Sequence, residues 1–518
     1  MSRRLCVLFL CSGLVGCGSD AAWQVPDPDG ERVATLTQKI RPTDGTGWNN
    51  NGFGVAADVY EPPGGHFRVF YVTSTDNAVD PTDVLPKNGV PDFVEAVGAA
   101  AEATYQSTVL ARGFRQMLDD SVYHDRPDFG GDGRFDIYLR WAGKGSDGYR
   151  VTEACTDGSD GKSPGRCAGY FVMNPSYKGT SYPTELDGIR VLTSHELFHS
   201  IQDAYGTGQW RTVSEGTAVW NELQVFPDSV GTWKDYLGFL PAFFREPDRP
   251  LDKSMGSGPA AAYAYGTAVF FEFLSERFAP KLIRTLWEGL LLSPTGDAPL
   301  FLDVLDEVLM RDYGTNLEAA FSEFTRWNLL TSERASVGTG YLRAKEYPSV
   351  RFEPDLVALP AQTSVEVNGL SARYLRLRPA LAAPQTVRVT VNDPATMNPT
   401  VALAVQKASG EVGTLVDGGS AKDVRLAEGE SLLVVLTGSL RGARARTVDV
   451  QFAAAPTPPI DKMPDTDPPM ASGCAVSGRS SSWSPGPIGL LLCALAFVRR
   501  RFLPWARGAR SSSPRAAE

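Results

Sequence analysis

The spacing of apolar positions along this 518-residue chain changes character several times, and each change predicts a different kind of structure. Positions 18–60 show no clear period and read as an irregular, propeptide-like arm. The stretch FRVFYVT (67–73) alternates and is rich in β formers, which predicts a strand. In VPDFVEAVGAAAEATYQSTVLARGF (90–114) the apolar residues recur at helical spacing, with Pro91 and Asp92 suited to the first turn and Gly113 to the end. Two more strands are predicted at FDIYLRWA (135–142) and CAGYFVMNP (167–175). A helix follows over about 186–204, with Gly206 as its C-terminal cap. A second helix opens at Glu215 with Ser214 as its N-cap. After it, AYGTAVFFEFLSERF, PKLIRTLWEGLL, FLDVLDEVLMRDYG and NLEAAFSEFTRWNLL all keep the 3.6-residue period, so this half is all-α. From about 354 the texture changes to SVEVNGLSARYLRLRP, QTVRVTVND, VALAVQK, RLAEGESLLVVLTG and RTVDVQFAA. These are alternating strands separated by Gly, Pro and Asp turns, the pattern of a small β-sandwich. The expectation is an α+β chain with a mixed domain over 61–350 and an all-β sandwich over 354–455.

Composition narrows the picture only a little. The length suffices for two or three domains with their own cores, and the apolar and charged fractions are those of a globular protein. A net charge of −10 argues against nucleic acid as a partner. A monomer is expected.

The two ends say more. MSRR followed by LCVLFLCSGLVG has the charge and short apolar run of an export signal over 1–17, too short to span a membrane. LVGC resembles a bacterial lipobox, which implies lipidation at Cys17; plain signal-peptidase cleavage nearby is the alternative. Near the other end, a Pro- and Asp-rich linker (456–473) precedes Cys474, a Ser-rich spacer, the apolar run IGLLLCALAFV and the cluster Arg499, Arg500, Arg501. That order, over 474–505, is similar to the myxobacterial sorting segment called MYXO-CTERM, which implies processing at Cys474 and display on the outer membrane or cell surface. A tail-anchoring helix that is never cleaved is the other reading. Export places the remaining pair, Cys155 and Cys167, in an oxidising compartment, so one disulfide is expected between them.

The chemistry concentrates in HELFHSIQDAYGTGQWRTVSEGTAVWNE. The chain has four histidines, His66, His124, His195 and His199, and two of them stand here at i, i+4 spacing. On a helix those positions share one face, so both imidazoles can reach one ion. Glu196, beside the first, can reach a water on that ion. A catalytic zinc site takes three protein ligands and keeps one position open. Glu215, 16 residues after His199, is the third candidate, because a short loop lets a second helix return alongside the first. Glu222, two turns further on, either orients a histidine or makes a surface salt bridge.

HELFHSIQ followed by WRTVSEGTAVW resembles the gluzincin branch of HExxH zinc peptidases. More closely, it is similar to surface metalloproteases of myxobacteria that share an NGVPDFVE segment; the resemblance covers roughly 60–330. It implies a zincin-like domain, one catalytic zinc, hydrolysis of protein or peptide substrates, and an edge strand above the motif helix that pairs with extended substrate. AGYFVMNP is the edge-strand candidate. The ligands lead to a mechanism in which Glu196 is the general base, with Tyr265 or, less favoured, Tyr263 stabilising the oxyanion. Beside the zinc centre, two acidic stretches could hold structural calcium: Asp83, Asn88 and Asp92, and Asp128, Asp132 and Asp136. Turn chemistry explains both as well. A catalytically silent, protease-like adhesin is the alternative to an enzyme, and residues 22–60 blocking the cleft is a further one.

Overall fold

The computed structural model describes residues 41–43, 52–119, 130–157, 164–206, 211–251, 261–290, 299–393, 400–439 and 445–456. The chain divides into a unit Met1–Pro456 and a unit Thr457–Glu518, the latter wholly outside the described residues. Cys17, Cys474, the apolar tail, His124 and Asp128 also lie outside them. No helix among the described residues is long and apolar enough to cross a membrane.

The first layer is a mixed sheet of β1 (Asp58–Tyr60), β2 (Phe67–Tyr71), β3 (Phe135–Leu139), β4 (Gly148–Asp157) and β5 (Pro164–Met173), in the order β1-β2-β3-β5-β4. β2, β3 and β5 run parallel, and the outer strands β1 and β4 are antiparallel to their neighbours. CAGYFVMNP therefore belongs to an interior strand. The edge on that side is β4, which the periodicity did not suggest; it pairs with β5 as a hairpin partner and leaves β5 bonded on both sides. The Cys155–Cys167 disulfide joins this pair with Cα atoms 4.0 Å apart, at directly opposed positions.

Alternation sorts the sheet's two faces. Phe67, Val69, Ile137, Phe171 and Met173 join the large core with α1 (Asp92–Tyr105) and α2 (Glu185–Asp203). Phe70, Tyr138, Tyr170 and Val172 face away and pack with Phe53 of the expected arm. Arg41, 1% exposed, crosses that far face to bond Glu153 and Asp136 and stacks over Tyr170. The described part of the arm is thus folded against the sheet on the side opposite α2, and β1 lies within it.

α1 continues into a π-helical turn over 106–111, and Gly113 follows with φ +73. α2 is capped by Thr184, whose hydroxyl accepts from Asp187 N. Next come α3 (Arg211–Val225), α4 (Val230–Arg245), α5 (Ala261–Gly266), α6 (Ala268–Arg277), α7 (Lys281–Leu290), α8 (Pro299–Tyr313) and α9 (Leu317–Leu329). Ser214 is inside α3, not its N-cap, because the helix is already formed at Arg211. α4, absent from the predicted elements, carries Pro241 inside it.

β6 (Phe352–Leu356), β7 (Ala361–Val367), β8 (Ser371–Leu377), β9 (Gln385–Asn392), β10 (Thr400–Gln406), β11 (Val416–Asp417), β12 (Ala421–Leu426), β13 (Ser431–Gly438) and β14 (Arg446–Ala454) form two sheets, β11-β10-β13-β8-β6 and β12-β9-β14-β7. Their facing sides share a core of Val367, Leu375, Val389, Val434, Leu436 and Val450. The outer side of the first sheet is buried as well: Tyr374, Leu433 and Val435 join the helical core. There Tyr374 donates to Thr325 O at 2.9 Å, and Thr325 and Thr437 share a hydroxyl hydrogen bond of 2.7 Å. β13 consequently reads LLVVL rather than alternating, as a strand covered on both faces does.

Candidate metal centre

α2 is buried on nearly every face, so its polar residues must find partners inside the fold. His195 and His199 stand one turn apart, and α3 lies antiparallel alongside and delivers Glu215 to the same point. His195 Nε2 is 3.0 Å from His199 Nε2 and 3.2 Å from Glu215 Oε2; His199 Nε2 is 3.3 Å from the same oxygen. Among the described residues this is the only His, Cys, Asp and Glu group of metal-binding geometry, its ligand atoms all within 4.8 Å of one another.

The outer ring nitrogens settle which atoms face inward. His195 Nδ1 donates to Glu222 Oε1 at 2.7 Å. His199 Nδ1 donates to Gln202 Oε1 at 2.9 Å, because Gln202 Nε2 is occupied as donor to Ser214 O and Thr217 Oγ1. With both protons on Nδ1, each neutral imidazole turns a bare lone pair inward, towards the other and towards a carboxylate oxygen. Three lone pairs converging in a buried space repel unless a proton or a metal cation lies between them.

The surrounding carboxylates favour positive charge at the same point, carried by a proton on His195 Nε2 or by a metal cation. Burial disfavours a charge on His195, yet hydrogen bonds to Glu215 and Glu222 outweigh it and hold its pKa well above the usual histidine range. Burial would raise Glu215, but His199 and His195 hold it well below the usual carboxylate range. Glu222 is pushed up to about 6 by burial, against the pull of His195. The position that a proton takes on His195 Nε2 is the one that a metal cation would take in its place. Two nitrogens and one carboxylate oxygen are the donor set of a catalytic zinc site, so the residues present fit that ion.

Glu196 is 1% exposed, and its Oε1 has no hydrogen-bond partner. The edge strand lies over it: a Cβ added at Gly148 would stand 3.8 Å from Glu196 Cγ. Arg150, two residues along β4, pairs with Asp203 at the end of α2.

The two tyrosines part company. Tyr265 stacks on His195 with centroids 5.9 Å apart and also on Phe239. Tyr263 turns elsewhere, stacking on Phe243 and donating to Arg249 O at 3.2 Å. Tyr265 also hydrogen-bonds Arg211, whose guanidinium is 3.5 Å from Glu215 Oε1. Sequence reasoning missed Arg211, though its i, i+4 relation to Glu215 was there to be read. It missed Gly216 too. A Cβ there would meet Thr267 Oγ1 at 2.5 Å and Phe271 at 2.7 Å, so the glycine after Glu215 lets α3 settle against the start of α6.

The described calcium candidates have other partners. Asp83 accepts from Asn88 N and Gly89 N, and Asp92 from Val84 N and Leu85 N, which is turn chemistry. Asp132 pairs with Arg134, and Asp136 with the buried Arg41. His66 bonds Glu102 and stacks on Tyr105, away from the centre.

No known protein family matches the sequence, and no curated protein matches it. Among solved structures, the chain is similar to the pre-peptidase C-terminal domain of collagenase from Bacillus anthracis (11% identity, 20% of this chain and 97% of that one, TM-score 0.16). It is also similar to PliG, a periplasmic inhibitor of g-type lysozyme from Aeromonas hydrophila (18% identity, 20% and 99%, TM-score 0.15). A family GH115 4-O-methyl-α-glucuronidase matches over 67% of this chain and 54% of that one, at 10% identity and TM-score 0.14.

Proposed function

We propose that this chain is a zinc-dependent peptidase of zincin-like organisation, exported and held at the cell surface, acting on protein or peptide substrates. The observation that carries this reading is the convergence of three lone pairs from His195, His199 and Glu215, with the free carboxylate oxygen of Glu196 beside them. When bound, a zinc ion supplies a Lewis acid that polarises a carbonyl and acidifies a coordinated water.

The chain's own residues do the rest. Glu222 and Gln202 lock both imidazoles in the tautomer that presents Nε2. Glu196, with an unused oxygen, accepts the proton of the attacking water and hands it to the leaving amine. Tyr265 and Arg211 stand on the side of His195 and Glu215, where they can donate to the oxygen that gains charge as the carbonyl is attacked. β4 offers a sheet edge above Glu196, where an extended peptide can add as a further strand.

The test is metal content and cleavage of a peptide mixture by the full chain, beside Glu196→Gln. The expected result is one zinc per chain in both proteins, with turnover lost only in the variant. Turnover that survives Glu196→Gln would refute the role of the base, and a chain that takes up no zinc would refute the reading as a whole.

A further inference from the structure

β4, the outer strand beside Glu196, is clamped from both of its faces. On the α2 face, Arg150 Nη1 and Thr152 Oγ1 both donate to Asp203 Oδ2. On the far face the clamp comes from the N-terminal arm. Glu153 is the extra residue of a β-bulge: Thr152 stands opposite Gly169 and Ala154 opposite Ala168, so Glu153 has no counterpart on β5. Arg41 holds it instead. Its Nε donates to Glu153 Oε1 at 2.9 Å, its Nη2 donates to Glu153 Oε2, and its Nη1 donates to Asp136 of β3.

The bulge is built into the hairpin. A Cβ added at Gly169 would stand 1.9 Å from Val151 O, so only glycine fits where β4 bends over β5. Other arm residues lie on the same face. Thr43 and Tyr138 share a hydroxyl hydrogen bond of 3.4 Å, and Phe53 packs with Tyr138, Tyr170 and Val172.

Glu153 and Asp136 are buried carboxylates, and the guanidinium that joins them belongs to the arm. Removing one partner of a buried ion pair leaves a charge that the fold must rearrange to accommodate. A bulge sets the bend and twist of its strand, so Arg41 governs how the free edge of β4 runs past the metal centre. A peptide that adds to that edge bonds through its backbone and needs the edge held in one shape. An arm that plugged the cleft would lie on the α2 side of the sheet, whereas the described residues of this arm lie on the other side.

We propose that the arm is a retained brace of the substrate-binding edge, with Arg41 a positioning residue that acts on substrate through the bulged Glu153. Loss of the segment that carries Arg41 therefore shuts the site down instead of opening it. The inference rests on the peptidase reading and deepens it by naming what controls the same site.

The test uses the full, zinc-loaded chain beside Arg41→Lys, Arg41→Met, and Arg41→Met combined with Asp136→Asn and Glu153→Gln. The triple variant removes both carboxylates together with the guanidinium, so it carries no buried charge without a partner there and still lacks the brace. It decides the matter if Arg41→Met alone fails to fold. The expected result is a KM raised by about tenfold in Arg41→Met and in the triple variant, with kcat much less affected and zinc content unchanged. Arg41→Lys should recover part of the loss. A parental KM in the triple variant would overturn the proposal, because the three groups would then serve stability alone. Turnover above the parent's would also overturn it, by showing an arm that inhibits. Hydrogen–deuterium exchange keeps the two readings apart if no peptide is cleaved. Amides of β4 that exchange at least about tenfold faster in the triple variant, with α2 still protected, would uphold the brace while the peptidase reading fails. Parental exchange in β4 would overturn the brace.

Discussion

His195 is held at Nδ1 by Glu222 and so presents Nε2 to the other two atoms of the centre, and that hold decides how the centre responds to substitution. Replacing Glu222 by Gln keeps the shape and an acceptor for Nδ1 but removes the charge that makes the imidazole a better donor. Zinc affinity should fall by about 10- to 100-fold without loss of fold. Competition with a chromogenic chelator measures this, and an unchanged affinity would mean that the carboxylate merely fills space. Arg211 and Tyr265 touch each other, so they should act as a unit. Arg211→Lys should lower kcat by about 100-fold at full zinc occupancy. Combining it with Tyr265→Phe should cost much less than the product of the two single losses. Full additivity in that cycle would place the two groups in separate roles.

At the scale of elements, the position of Glu215 depends on how closely α3 can approach α6. An alanine in place of a helical glycine normally stabilises by about 1 kcal/mol. Gly216→Ala should do the reverse, because its Cβ would stand 2.5 Å from Thr267 Oγ1, a hydroxyl fixed by donating to Thr212 O at 2.7 Å. The substitution should destabilise by about 1–3 kcal/mol and weaken zinc binding, since Glu215 moves with the helix. Denaturant unfolding with and without zinc checks both effects, and a variant as stable as the parent would show that α3 has slack. The element next to α3 matters equally: Asn221 donates to Ser194 O on α2 and accepts from Thr108 in the π-helical turn, tying three helices behind the ligands.

At the scale of the whole molecule, the helical half carries a carboxyl pair on α6. Burial pushes Glu272 of α6 up to about 8, with Glu276 adding to the rise. Glu276 accepts from Leu342 N at 2.8 Å. In an unfolded chain such a group titrates at about 4.3. Below that pH both states hold the proton and the pair costs nothing. Between about 4.3 and 8 the folded state holds more protons than the unfolded one, so stability falls as pH rises. The loss should be on the order of 2–4 kcal/mol and complete above the folded value. Glu272→Gln should flatten the decline in Tm from about pH 5 to about pH 8, and an unaltered slope would place the titrating group elsewhere.

Much of the centre was legible in the linear sequence because its logic is local. The i, i+4 rule alone puts His195 and His199 on one face of α2, and the length of the intervening turn suffices to bring Glu215 back to them. The β-sandwich was legible for a similar reason, since alternation and turn residues mark most of its strands. What the sequence left open depends on contacts between segments far apart. Which strand forms the sheet edge is decided by β4 pairing outside β5, and no periodicity in AGYFVMNP carries that information. α4 escaped notice because Pro241 interrupts its pattern, yet it supplies Phe239, on which Tyr265 stacks. Glu222 could have been a surface residue; only the packing of α3 against α2 buries it and turns it to His195. Local pattern determines which side chains a helix turn or strand presents together, whereas the neighbours they meet, and hence their charge state and chemistry, are set by packing across the chain.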